Sequence, residues 1–174
     1  MRKKEAHTSL QKTTPRSKTP PAATTTIGAI ERVNSRFLQS LLGYNARRAT
    51  LTLIGGFMER MAAFNLRPVD FSILSLIRHN PGITSRQLCH ELNVLPPNMV
   101  GSLKAFEKQD LIARSSHPTD GRAVGLTLTD KGQELMQAAE IAAVKSDASA
   151  AHQLNATEMK QLIRLLQKIY LAQE

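Results

Sequence analysis

A chain of 174 residues, 41% of them hydrophobic, can bury a core of ordinary domain size, which excludes global disorder. Its formal charge of +9 favours a polyanionic partner, and no apolar run approaches the ~20 residues that span a bilayer, so nucleic acid is the better expectation than a membrane. A single cysteine, Cys89, excludes an internal disulfide framework and suits a reducing cytosol.

Residues 1–26 read as a tail. Six Lys/Arg against one Glu place more than half of the net charge of +9 here, and the Pro, Thr and Ser content cannot bury enough apolar surface to offset the entropy of ordering. The tail is either a solubilising extension or a basic arm that adds salt-dependent affinity for the DNA backbone. It lacks the apolar core of a secretory signal. Its acid-poor, Thr/Ser-rich composition is shared with organelle transit peptides, but its prolines and weak amphipathic pattern count against that reading.

From Ile27 to about Met61 the spacing of Phe37, Leu38, Leu41, Leu42, Leu53, Ile54, Phe57 and Met61 predicts one long helix. A helix of about 30 residues is ~45 Å long and outruns the core of a chain this size, so its apolar surface is expected to continue into a second copy. Arg67–Pro68 breaks it. A helix follows over Pro68–His79, then an Asn80–Pro81–Gly82 turn, and a short helix capped by Thr84 or Ser85 that runs to Leu92. After Asn93–Val94, Pro96–Pro97 opens a third helix to about Gln109, with Met99, Val100, Leu103 and Phe106 inward. Two β-rich runs, Leu111–Ser116 and Arg122–Leu128, flank a loop of turn residues, His117–Gly121. Thr129–Asp130 starts a helix to about His152. Asn155 and Glu158 are spaced as a capping box for a last helix ending near Ala172.

Helix, turn, helix and polar-tipped hairpin is the order of a winged helix-turn-helix, whose second helix enters the major groove while the hairpin reaches flanking minor groove and phosphate. The expected fold is therefore mainly α with a small β-wing. Residues 67–128 form the DNA-binding domain; 27–66 and 129–174 supply a helical dimerisation domain.

Several stretches together resemble the MarR (multiple antibiotic resistance regulator) family. These are Gly43–Tyr44 with Arg47–Arg48, Asn80–Pro81–Gly82–Ile83–Thr84, Leu92–Asn93–Val94, Glu107–Lys108 with Leu111–Ile112, Asp120–Gly121–Arg122, and Leu126–Thr127–Leu128–Thr129–Asp130–Lys131–Gly132. The resemblance spans roughly Ser35 to Leu171. It implies a homodimer, built from the first and last helices, that presents two reading helices to a pseudo-palindromic operator and represses transcription until a small ligand releases it. Carried over by position, Pro97, Asn98, Val100, Gly101 and Lys104 lie on the outward stretch of the reading helix. Arg122 is the wing arginine and Asp120 its acidic partner. Thr84, Ser85, Ser102, Arg114 and His117 complete the set assigned to DNA. This sequence departs from the family at Gly101, where a long polar residue is common, and at Leu95–Pro96–Pro97, which replaces a more polar start. With so few donors, specificity is expected to lean on Asn98, which suits a bidentate contact with adenine, and on thymine methyls and DNA shape.

The family's effector pocket commonly lies between the long first helix, the helix before the turn and the helix after the wing. Tyr44, Asn45, Arg47 and Arg48 are the expected ligand residues, and a small aromatic acid or phenol the expected effector. The alternative for the arginines is a solvated or DNA-facing surface. Cys89 reads as a small buried hydrophobe rather than an oxidant sensor. The five histidines are scattered and none has zinc-ligand spacing, so no metal or cofactor is expected. No nucleophile–base pair or paired carboxylates point to an enzyme. A bacterial, cytoplasmic, nucleoid-associated repressor is the leading expectation. A non-specific architectural nucleic-acid-binding protein is the alternative from another class, and a protein-interaction module a third.

Overall fold

The long helix anticipated at the N-terminal end is interrupted. In the computed structural model, which describes residues 33–116 and 124–171, a single turn, α1 (Arg36–Gln39), precedes α2 (Leu42–Ala62). The break has a local cause. Ser40 Oγ donates to Phe37 O at 2.7 Å, and the Asn45 amide donates to both Gln39 O and Leu41 O at 2.8 Å. Such side chains offer the backbone an alternative to the helical ladder. The tail, 1–26, lies outside the described residues, as do 27–32 of the expected helix.

The chain then runs α3 (Pro68–His79), β1 (Ile83–Thr84), α4 (Ser85–Leu92), α5 (Pro96–Lys108), β2 (Ile112–Ser116), β3 (Val124–Leu128), α6 (Asp130–Ala150) and α7 (Ala156–Tyr170). It is mainly helical with a small antiparallel sheet in the order β1-β3-β2. The two wing strands pair in register from Ile112↔Leu128 to Ser116↔Val124. The two-residue β1 adds Ile83↔Leu126 and Thr84↔Gly125. Sequence periodicity does not reveal a strand this short. It forms because Gly82, at φ 91°, turns the chain after α3 so that its N–H donates to Leu126 O at 2.8 Å.

Arg36–Glu174 is one compact unit. Its core gathers Ile73, Leu74 and Ile77 of α3, Leu88 of α4, Met99, Leu103 and Phe106 of α5, Leu126 of β3 and Met136 of α6, with Met61 at the end of α2. Three caps foreseen from the sequence are present. Thr84 and Gln87 close a capping box on α4, Thr129 accepts from Gly132 N on α6, and Asn155 and Glu158 close a box on α7; each cap contributes about 1 kcal/mol. Of the residues expected inward, Leu88 is buried, Cys89 and Leu92 are half-buried, and Val100 is exposed. Val100 departs from the inward placement its spacing suggested and stands outward, as the family resemblance implied, because Met99 and Leu103 take the inner side of α5.

The end of α5 is fastened to the start of α6. Lys131 Nζ donates to Gln109 O at 2.7 Å, Thr129 Oγ1 to Asp110 O at 2.7 Å, and Thr129 N to Leu111 O at 3.1 Å. A Cβ placed on Gly132 would lie 2.1 Å from Leu111 O. No rotamer relieves a clash with backbone, so any larger residue must move α6 off this junction. Gly132→Ala should therefore cost about 3 kcal/mol, the upper end of overpacking, and lower Tm by roughly 6–12 °C. Thermal unfolding followed by circular dichroism measures it; an unchanged Tm would mean that the junction yields freely.

Candidate nucleic-acid interface and effector cavity

α4 and α5 are joined by a tight turn in which Asn93 is left-handed, at φ 49°, and accommodated by its short polar side chain. Leu88 anchors α4, and Met99, Leu103 and Phe106 anchor one side of α5. The opposite side is thereby turned outward. Pro97, Asn98, Val100, Gly101 and Lys104 are all exposed, with Ser102 half-buried beside them. Pro96 and Pro97 occupy the first turn, where no amide donor is required. A Cβ at Gly101 would meet nothing within 4 Å, so the middle of this surface is open. Asn98, Gly101 and Ser102 border a cleft of about 690 Å³ shared with Arg67, the N-cap of α3, and Val69 of α3. Across it, Arg67 forks onto the buried Asp70 carboxylate, with Nε–Oδ2 at 2.6 Å and Nη2–Oδ1 at 3.0 Å. That hydrogen bond and charge hold the guanidinium proton more tightly than usual.

The remaining residues assigned to DNA have different surroundings. The Thr84 hydroxyl is committed to Gln87 as the α4 cap, and Ser85 is half-buried in the first turn. Arg114 of β2 pairs with Glu107 of α5, which raises its pKa through the shared hydrogen bond and ties the wing strand to the reading helix. His117, Asp120 and Arg122 lie outside the described residues.

The four residues expected to bind ligand do not line the apolar cavity between α2, α3 and α6. Asn45 spends its amide donors on backbone, Arg47 and Arg48 are exposed, and Tyr44 is half-buried. The cavity, about 340 Å³, opens one to three turns further along α2, between Thr50, Leu53, Ile54 and Phe57 and the α3 residues Pro68, Phe71 and Ser72, with Asp147 of α6 at its edge. It does lie between the three helices expected. Phe57 and Phe71 meet edge to face, with centroids 5.2 Å apart and planes at 83°. Sequence reasoning took these apolar residues for core, because a cavity wall and a core share one periodicity. Asp147 carried no motif.

A polar knot also escaped the sequence. Glu140 of α6 accepts from Ser75 Oγ at 2.9 Å, lies 3.0 Å from His79 Nε2, and pairs with Arg78 Nη1 at 3.2 Å. Ser75, Arg78 and His79 share one side of α3 at three- and four-residue spacing, the only signal available beforehand. Among the described residues no group of three His, Cys, Asp or Glu is placed to hold a metal, and no helix is long and apolar enough to cross a membrane.

A family model described as the MarR family matches residues 66–124, which runs from α3 through β2 to the first residue of β3. A solved structure of the transcriptional repressor CouR, bound to a 23-mer DNA duplex, is 32% identical, covers 79% of this chain and 98% of its own, and superposes with a TM-score of 0.72. The chain belongs to the MarR family. The HTH-type transcriptional repressor Rv2887 of Mycobacterium tuberculosis is 27% identical over 128 residues, 74% of this chain and 92% of the repressor. A structure of Rv2887 with salicylic acid has a TM-score of 0.61 at 27% identity, covering 75% of this chain and 96% of the other. The mainly helical winged-helix fold is thus that of MarR regulators, and the relatives are transcription regulators rather than enzymes.

Glu140 is a partly buried carboxylate that accepts from Ser75 and sits in ion-pair range of Arg78, and its loss strands Arg78. Glu140→Ala should destabilise this MarR-family chain by about 1–3 kcal/mol in urea unfolding, whereas Glu140→Gln, which keeps an acceptor for Ser75, should cost less. Equal losses in the two variants would show that the carboxyl acceptor is not what counts.

Proposed function

We propose that this MarR-family regulator represses transcription as a homodimer, reading a pseudo-palindromic operator through α5 and releasing it when a small aromatic molecule enters the cavity between α2, α3 and α6. The observation that carries the reading is the division of α5. Met99, Leu103 and Phe106 lock one side into the core, while Asn98, Val100, Gly101 and Lys104 stand exposed on the other. Asn98 is the direct base reader, Lys104 a phosphate or guanine contact, and Pro97 and Val100 apolar neighbours for thymine methyls. Arg114, Ser85 and the wing residues His117, Asp120 and Arg122 belong to the flanking contacts.

The dimer rests on apolar surface without a partner among the described residues. On α7, Leu162, Ile163, Leu165, Leu166 and Ile169 are 38–62% exposed, and Phe37 and Leu42 near the other end are 75% and 67% exposed. Side chains repeating at this spacing form a continuous stripe, and a second copy of the same helices buries it. Residues 36–66 and 129–171 thus form the dimerisation part, around the DNA-binding residues 67–128.

For the effector, the cavity is a better seat than Tyr44, Asn45, Arg47 and Arg48. Its aromatic edges suit a ring, and its ionisable wall residue is Asp147, an acceptor. A phenol that donates its hydroxyl therefore fits better than an aromatic carboxylate, which Asp147 would repel. CouR and Rv2887 have been solved with DNA, which supports the operator half of the reading, and Rv2887 with salicylic acid, whose ring and phenol hydroxyl support an aromatic effector although its carboxylate is not favoured by Asp147.

The test is binding to operator and random duplexes across salt concentrations. Asn98→Ala should lose the operator preference by about 1–3 kcal/mol while keeping the salt slope, because base contacts discriminate and phosphate contacts do not. A wild-type chain that binds both duplexes equally at every salt concentration favours the architectural alternative. Phenols should bind the free dimer more tightly than the DNA-bound one, by ~1–3 kcal/mol of coupling in calorimetry. Equal affinities would overturn the release mechanism.

A further inference from the structure

The cleft of about 690 Å³ beside the outward side of α5 has walls of unlike chemistry. The α5 wall is neutral: Pro97, Asn98 and Gly101, all exposed, with the half-buried Ser102. The opposite wall carries Arg67, the one charged side chain lining the cleft among the described residues. Arg67 is held unlike an ordinary surface arginine. Its Nε and Nη2 donate to the two oxygens of Asp70 at 2.6 and 3.0 Å, and its backbone N–H donates to Oδ2 at 3.3 Å. The carboxylate is buried, with 9% of its side chain exposed, whereas 72% of the Arg67 side chain is exposed. The acceptor thus lies behind the guanidinium, on its protein side. Two of the five N–H donors are spent on Asp70, and three remain.

What the pair achieves is a fixed direction. A free arginine gives up side-chain freedom when it binds, whereas a forked one has given it up already. The direction matters because of what lies across the cleft. The major groove is about 12 Å wide and one helix fills it. With α5 in the groove, as in the function proposed for it, a side chain reaching alongside from the start of α3 meets the sugar-phosphate strand at the groove's edge rather than a base. A phosphate offers oxygens to the three free donors, and a guanidinium meets it two bonds at a time. Asp70 does not cancel the attraction, because the guanidinium stands between the carboxylate and the strand and the nearer charge dominates.

We propose that Arg67 is a preset phosphate clamp: held by Asp70, it grips the DNA strand flanking the base that Asn98 reads, and so fixes the register of α5. The inference rests on α5 entering the major groove. Phosphate contacts are independent of sequence, so the probe is a mixed-sequence duplex of about 30 bp, long enough for two reading helices one turn apart. The main variant is the neutral pair Arg67→Gln with Asp70→Asn, which strands no buried charge and leaves the net charge of the chain unchanged. It should unfold within a few degrees of the wild type. It should nevertheless bind the duplex at least tenfold more weakly, with a shallower dependence of log Kd on log salt. Arg67→Lys keeps a charge beside Asp70 but not the fork, and should lose affinity several-fold. Asn98→Ala, which removes a base contact, should bind this duplex as the wild type does. A folded neutral pair with wild-type affinity and salt slope, or an Arg67→Lys chain that binds as the wild type does, would overturn the clamp and leave the reading by α5 intact. A wild-type chain that binds no duplex at low salt would overturn both.

Discussion

Three successive carbonyls at the end of the reading helix, those of Gln109, Asp110 and Leu111, are taken up by Lys131, Thr129 Oγ1 and Thr129 N. Helix ends leave carbonyls without intrahelical partners, and here the partners come from the residues that open the long α6. Asp110, at φ 58°, turns the chain so that these oxygens face the junction. The side-chain-free Gly132 lets the α6 backbone close to a distance at which a Cβ would overlap Leu111 O. The hairpin between the two helices is thereby a closed excursion: it leaves at Ile112 and returns at Leu128, both held beside the same junction. The orientation of α5 is thus set from both ends, by the α4 turn at one and by α6 at the other.

From this anchoring follows the character of the exposed side of α5. A reading helix fixed at both ends needs few contacts of its own to stay in place, so it tolerates an open centre at Gly101 and proline in its first turn. The cost is a sparse set of donors. Asn98 and Lys104 project from a surface otherwise made of small or apolar groups, and Arg114 is already paired with Glu107. In the proposed reading, recognition by such a surface draws on shape and methyl contacts as much as on hydrogen bonds.

How far the fold could be read beforehand depended on where each signal resided. The boundaries of α3, α4 and α5, the Asn155–Glu158 box and the two wing strands were legible, because proline, capping side chains and periodicity act within a few residues of themselves. The ordered motifs carried the family for the same reason. The break at Ser40–Leu41 was not legible: Leu38, Leu41 and Leu42 continue the apolar spacing, while the competing bonds of Ser40 and Asn45 leave no mark on it. β1 is two residues long, and only its pairing with β3 makes it a strand. The site suffered most where chemistry is nonlocal. Glu140 gains meaning only beside α3, and Asp147 only beside α2. Arg47, Arg48 and Asn45 stood out as polar groups on an apolar helix; the arginines are exposed and the Asn45 amide donates to backbone.

The cavity and the junction together give the proposed release a physical path. The cavity's walls belong to α2, α3 and α6, and α6 is fastened to the end of α5 at Gly132 and to the end of α3 through Glu140. A ring wedged between Phe57 and Phe71 separates α2 from α3, and α3 cannot shift without straining its Glu140 contacts or carrying α6 with it. Packed interiors yield in steps rather than continuously, so such a strain is relieved by a small rigid movement of the α5–wing unit. In a dimer, two such movements change the spacing of the reading helices, which must match successive major grooves on one face of the duplex. A ligand that favours the altered spacing weakens DNA binding by the same factor by which DNA weakens the ligand. The coupling thus requires no contact between the effector and the reading helix, only a stiff connection through α6.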